Sequence, residues 1–184
     1  MASHRNVPPR ASPAFTLLEL LAVIAIISLL TGLVIGVGRR AFESGRAVRA
    51  KAELAALSGA LEVYRRTYGD YPQTNDSARL LQSLLGRYDP SDAIITTGRT
   101  VIETNRFTTV DGTDPAVNPG AQLADPWGWA YLYVYKTPST GWTNPGFVLY
   151  SAGPDGSDSP ALLTGGFVDP APQSNTDNLY AGRN

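Results

Sequence analysis

The chain has no cysteine and a single histidine in 184 residues. The first absence excludes disulfide staples, thiol catalysis and cysteine-ligated metal. The second leaves only His4, close to the N-terminus, so a zinc site or a histidine-based triad within a folded domain has nothing to build on. The formal net charge of -1 is no footprint for nucleic acid. No phosphate-cradling GxxxxGK[ST] loop occurs. These absences argue against an enzyme and leave a structural or binding role.

Charge is also missing, almost completely, from one long run. Phe15 to Val37 is 23 residues with a single charged side chain, Glu19, and no proline. At the helical rise such a run spans about 35 Å, enough for a bilayer. The basic leader before it (His4, Arg5, Arg10, with three prolines) places the N-terminus on the cytoplasmic side, although Arg39 and Arg40 follow the run directly. A secretory signal peptide is the competing reading, but its apolar core is typically about 7–15 residues. A carboxylate at the centre of a membrane helix costs roughly 2.5–3.5 kcal/mol, so Glu19 calls for a partner.

After Arg39 the helical pattern continues and becomes amphipathic. Ala47, Ala50, Leu54, Leu57, Leu61, Tyr64 and Tyr68 recur at spacings of three and four, and Gly69 and Pro72 supply the stop. One helix from Phe15 to Tyr68 is expected, its first half in lipid or a helical bundle and its second half against a small domain. Ser77 to Arg87 reads as a short helix capped by Ser77. A strand is expected at "TVIETNRF", and two better ones at "WAYLYVY" and "GFVLYS", which pair as an antiparallel hairpin. The tail from Gly153 reads as loop, with Asp155, Asp158, Asp169 and Asp177 among Gly, Ser and Pro. The fold class is therefore α+β: a long N-terminal helix packed on a small antiparallel sheet. The Asp-rich tail offers the oxygen donors that calcium takes, although the same residues are ordinary turn formers. "DPWG" suits a turn at Asp125, Pro126 and Gly128, with Trp127 anchoring the next strand against the helix. Tyr131, Tyr133 and Tyr135 alternate, and sheet packing is a readier reading of them than a sugar- or protein-binding face.

"AFTLLELLAVIAIISLL" resembles the processing and assembly signal of type IV pilin-like proteins. "ALEVYRRTYGDYPQT", "DPWGWAYLY" and "LYSAGPDGSD…TDNLY" are similar, in the same order, to the helix end, turn-strand and calcium loop of major pseudopilins of type II secretion systems. The resemblance implies a pilin-like fold with three parts. Residues 1–14 would be a leader removed by prepilin peptidase, 15–38 a transmembrane and assembly helix, and 39–184 a periplasmic head. Cleavage would fall between Ala14 and Phe15, leaving an N-methylated Phe15. Glu19 would meet the N-terminal amine of a neighbouring subunit, a buried charge made tolerable by its pair. Calcium would be held by Asp155, Asp177 and the Ala152 carbonyl, with Asp158 a weaker ligand. Two positions depart from the family's pattern: Ala14 stands where glycine is usual before the cut, and Gly36 replaces a proline late in the apolar helix.

The function so implied is that of a structural subunit. It would leave the inner membrane and polymerise helically with itself and with minor pseudopilins, on an assembly platform driven by an ATPase, to push secreted proteins outward. The lack of cysteine favours this branch over a type IV pilus subunit for adhesion, motility or DNA uptake. A membrane-anchored extracytoplasmic binding domain that never polymerises is the alternative from another class. Residues 88–123 have no counterpart in the resemblance.

Overall fold

The computed structural model describes residues 15–136, 143–144, 146–163 and 165–182. Helix α1 runs from Leu17 to Tyr68 and α2 from Ser77 to Leu84. Strands β1 (Thr108–Thr109) and β2 (Leu123–Ala124) pair antiparallel. Strands β3 (Leu132–Tyr135), β4 (Phe147–Ser151) and β7 (Leu179–Tyr180) form an antiparallel sheet in the order β3-β4-β7. Strands β5 (Leu162–Leu163) and β6 (Phe167–Val168) make a separate pair. The fold is α+β, as the sequence implies.

The chain divides into two compact units, Met1–Phe42 and Glu43–Asn184. In the first, the side chains of Leu17, Leu18, Leu21, Ile24 and Ile27 are exposed along α1. The hydroxyls of this segment are satisfied on the helix itself: Ser28 donates to the Ile24 carbonyl and Thr31 to that of Ile27, at 2.7 and 2.8 Å. Among the described residues no helix is long and apolar enough to cross a membrane. The expected span reaches further: Leu33 to Val37, with Gly36, lie outside the residues whose side chains are described.

In the second unit the expected stripe faces the core. Ala50, Leu54, Leu57, Leu61 and Tyr64 are buried, each contributing about 1.5–3 kcal/mol where a large apolar side chain leaves water. Leu54, Leu57, Leu61 and Tyr64 pack with Leu80, Leu81 and Leu84 of α2 and with Tyr131, Tyr133 and Leu149 of the sheet region. Gly69 ends α1 at φ 95°, its N–H returning 2.8 Å to the Arg65 carbonyl. The hairpin register sets Leu132 opposite Tyr150 and Tyr135 opposite Phe147.

Three local expectations are corrected. The N-cap of α2 is Asp76, which accepts from the N–H groups of Ala78 and Arg79, while the Ser77 hydroxyl donates to the Tyr131 carbonyl. "TVIETNRF" is not a strand: Thr104–Arg106 is a turn of 3-10 helix, and pairing begins only at Thr108. That stretch has little apolar alternation to bury: Ile102 is buried in the core, with Val101 and Phe107 partly buried against it. The tail is not all loop, since Leu179–Tyr180 adds an edge to the sheet against Tyr150 and Ser151.

Candidate functional site

Three groups of expected site residues fall in different places. At the start of α1, Thr16 and Glu19 make a reciprocal pair. The Thr16 N–H and hydroxyl donate to Glu19 Oε2 at 2.9 and 2.8 Å, and the Glu19 N–H donates to Thr16 Oγ1 at 3.2 Å. This is a capping box, in which side chains at the N-cap and third helical position satisfy otherwise orphaned backbone donors. Glu19 therefore has a partner within its own chain. Phe15 is exposed, and Ala14 lies outside the described residues, as does the rest of the leader. "TLLE" carries the Thr-x-x-Glu signature, so this role was readable beside the one the resemblance gives.

The second group is the turn after β2. Asp125 is buried, and its Oδ1 accepts the N–H groups of Trp127 and Trp129 at 3.0 and 2.9 Å. Gly128 takes φ 97°, a left-handed conformation that glycine adopts without penalty. Pro126 is half-buried beside Trp127 in the same turn. The indole N–H of Trp127 donates to Glu43 Oε2 on α1 at 2.8 Å. The other Asp125 oxygen accepts from the Ser151 hydroxyl, which in turn accepts the Gly153 N–H at 3.1 Å. Tyr131 and Tyr133 point inward: Tyr131 donates to the buried Glu53 carboxylate at 2.7 Å and Tyr133 to the Pro72 carbonyl at 2.9 Å. Burial first, and for Tyr131 also the Glu53 carboxylate, push both phenols well above the ordinary tyrosine range. They form no ligand-binding face.

The third group is the acidic loop after β4. Asp155 lies in the turn closed by the Gly156 N–H on the Gly153 carbonyl, and its Oδ1 accepts the Ser157 N–H at 2.8 Å. Gly153 is pressed on Asp177: a Cβ there would stand 2.6 Å from the Asp177 carbonyl oxygen and 3.1 Å from Oδ2. Ala152, in the same stretch, is buried. Asp158 instead accepts from the Tyr150 hydroxyl at 2.8 Å. Among the described residues no three Asp, Glu, His or Cys side chains gather as a metal cluster. One buried amide was missed in the sequence. Asn178 is buried, its amide nitrogen donates to Asn175 and Tyr180, and its Oδ1 has no hydrogen-bond partner among the described residues. Asn175 ties the surrounding loops together through Ser159 and the Asp169 carbonyl.

Residues 10–35 match the family described as the prokaryotic N-terminal methylation motif. The chain carries a type IV pilin-like N-terminus. The matched stretch contains Ala14, Phe15, Thr16 and Glu19, so the capping pair sits within the methylation motif. No curated protein and no solved structure matches the chain. This type IV pilin-like motif goes with structural proteins that prepilin peptidase processes and that polymerise.

Proposed function

We propose that the chain is a subunit of a periplasmic pseudopilus that drives protein export by type II secretion. Prepilin peptidase cuts between Ala14 and Phe15, the new amine is methylated, and the subunit waits in the inner membrane with its head in the periplasm. On assembly by the platform and its ATPase, the apolar halves of α1 come together at the fibre centre. There Glu19 exchanges its local donors at Thr16 for the N-terminal amine of a neighbouring Phe15, which exists only after cleavage. The match over residues 10–35, with Glu19 as the lone charge of the apolar run, carries this reading. The absence of cysteine supports the pseudopilin branch, since a type IV pilin often closes its C-terminal loop with a disulfide.

The head binds calcium in this reading. Asp155, Asp177 and the Ala152 carbonyl contribute oxygens, and the orphaned Asn178 Oδ1 is a buried acceptor beside Asp177 in sequence that a cation would satisfy. Asp158, already held by Tyr150, contributes less. Calcium at a hundred times its dissociation constant would stabilise the head by about 2.7 kcal/mol.

The deciding experiment is co-expression with a prepilin peptidase, followed by the N-terminus and mass of the membrane-extracted product. A product starting at N-methylated Phe15 is expected. A chain still starting at Met1 or Ala2, beside a control substrate that is cut, sinks the fibre reading and leaves an anchored domain.

A further inference from the structure

The acidic loop and the helix are connected by side chains that the fibre reading does not use. From the loop, the Gly153 N–H donates to Ser151 Oγ at 3.1 Å, and the Ser151 hydroxyl donates to Asp125 Oδ2. Ser151 is fully buried and Asp125 nearly so, which removes water as a competing partner. From Asp125 Oδ1 the chain continues through the Trp127 N–H at 3.0 Å, and the Trp127 indole reaches Glu43 Oε2 at 2.8 Å. Glu43 is the first residue of the second compact unit, immediately after the apolar-rich first unit ends at Phe42. A second contact joins the same two loops. Asp125 Oδ1 also holds the Trp129 N–H, and the Trp129 ring lies so close over Gly156 that a Cβ there would stand 2.3 Å from it.

We propose that Ser151, Asp125 and Trp127 form a hydrogen-bonded relay coupling the order of the 153–158 loop to the α1 segment at Glu43. Each member is oriented by its neighbour. With Oδ2 held by Ser151, Asp125 presents Oδ1 to the two tryptophan amides, and Ser151 is aligned by Gly153 on one side and Asp125 on the other. Loosening the loop frees the Gly153 N–H, lets the Asp125 carboxylate rotate and withdraws the turn that aims the Trp127 indole at Glu43. The relay thus makes the helix, at the point where the head gives way to the assembly segment, sensitive to whether the distal loop is ordered. Calcium as the natural trigger rests on the calcium reading above; the relay itself does not.

The test is hydrogen exchange by mass spectrometry on the full chain in detergent micelles, reading one end while perturbing the other. Ser151→Ala should speed exchange in residues 43–47 by about 3- to 10-fold, a modest coupling, and do so only while the Trp127 indole N–H is present. In a Trp127→Phe background the further change should vanish. Coupling is reciprocal, so the exposed substitution Glu43→Ala, which spares the core, should speed exchange at the Trp129 and Gly153 amides. Unchanged exchange at those amides in Glu43→Ala overturns the relay, as does an effect of Ser151→Ala that persists without the Trp127 N–H. The calcium arm separates the two readings: calcium against EGTA should protect 153–158 and, through Trp127, residues 43–47. If calcium protects nothing, the calcium reading fails while the two substitutions still decide the relay.

Discussion

Glu19 and Thr16 satisfy each other at the start of α1, two donors of Thr16 converging on one Glu19 oxygen while the Glu19 N–H returns to the threonine hydroxyl. The Glu19 carboxylate therefore completes the capping box of its own helix. Cap and charge can be separated, because glutamine also completes a capping box. Glu19→Gln should keep the helix start intact, with native exchange protection over 17–22, while fibres disappear from electron micrographs of peptidase-processed subunits. Thr16→Ala should do the reverse, fraying the first turn while leaving the charge for a neighbour's amine. Normal fibres from Glu19→Gln would mean that capping, not charge pairing, is what the motif needs.

Tyr131 and Glu53 predict a stability effect. The phenol donates 2.7 Å to a carboxylate that is buried against the sheet, and Arg49 holds the other oxygen at 2.7 Å. Tyr131→Phe leaves Oε2 in the interior without its donor, at a cost of about 1–3 kcal/mol. Urea titration of the full chain in detergent should show the midpoint fall with an unchanged slope. A shift of a few tenths would mean that water reaches Glu53.

Much of this was legible in the sequence because periodicity is a one-dimensional signal. The stripe from Ala50 to Tyr64 and the strands around Leu132–Tyr135 and Phe147–Ser151 fell where spacing and β-branched or aromatic content put them. The choice of Ser77 over Asp76 as the cap failed since both are good caps one residue apart, and only the tertiary bond from Ser77 to Tyr131 decides between them. "TVIETNRF" misled through its β-branched residues, of which Val101 and Ile102 pack on the core without a ladder and Thr104 opens a turn of 3-10 helix. The Asp125–Ser151 and Trp127–Glu43 bonds join residues 26 and 84 positions apart, and no local pattern announces such pairs. Asn178 looked like one more loop residue because burial, not composition, makes its oxygen an orphan.

Glu62 predicts a small acid sensitivity. The Tyr71 hydroxyl above all, then Arg65 and Arg66, hold its carboxyl below the ordinary value of 4.5, outweighing desolvation; burial and Glu62 push Tyr71 up to about 12. A folded-state value below the unfolded one stabilises the protein above the unfolded value and loses that contribution as pH falls through the folded one. The side chain is 40 % exposed, so the effect is small and salt-sensitive. Thermal denaturation between neutral pH and about pH 3 should show a shallower acid decline in Tyr71→Phe, whose Glu62 has lost the donor that lowers it, than in the wild type. Superimposable profiles would remove Glu62 from the acid response.

Gly153 holds a position that other residues resist. It takes φ 72°, and a Cβ would meet the Asp177 carbonyl oxygen at 2.6 Å. Gly153→Ala combines backbone strain of about 1–3 kcal/mol with a clash that pushes Asp177 away. Thermal stability should fall, and any stabilisation by added calcium should fall with it. A calcium response equal to the wild type's would separate Asp177 from the cation.

Ala14 is the departure with the most direct consequence for processing. For a peptidase that cleaves before Phe15, glycine at the position before the cut would allow the closest backbone approach because it has no Cβ. Alanine adds one methyl group at that point, a small obstacle, whereas valine adds a branched one. In a pulse-chase of cells making the chain and a prepilin peptidase, Ala14→Gly should speed conversion to the mature form severalfold. Ala14→Val should leave the precursor uncut. If all three forms mature at one rate, the site tolerates any small or branched residue before Phe15, and recognition rests on Phe15 and the helix that follows.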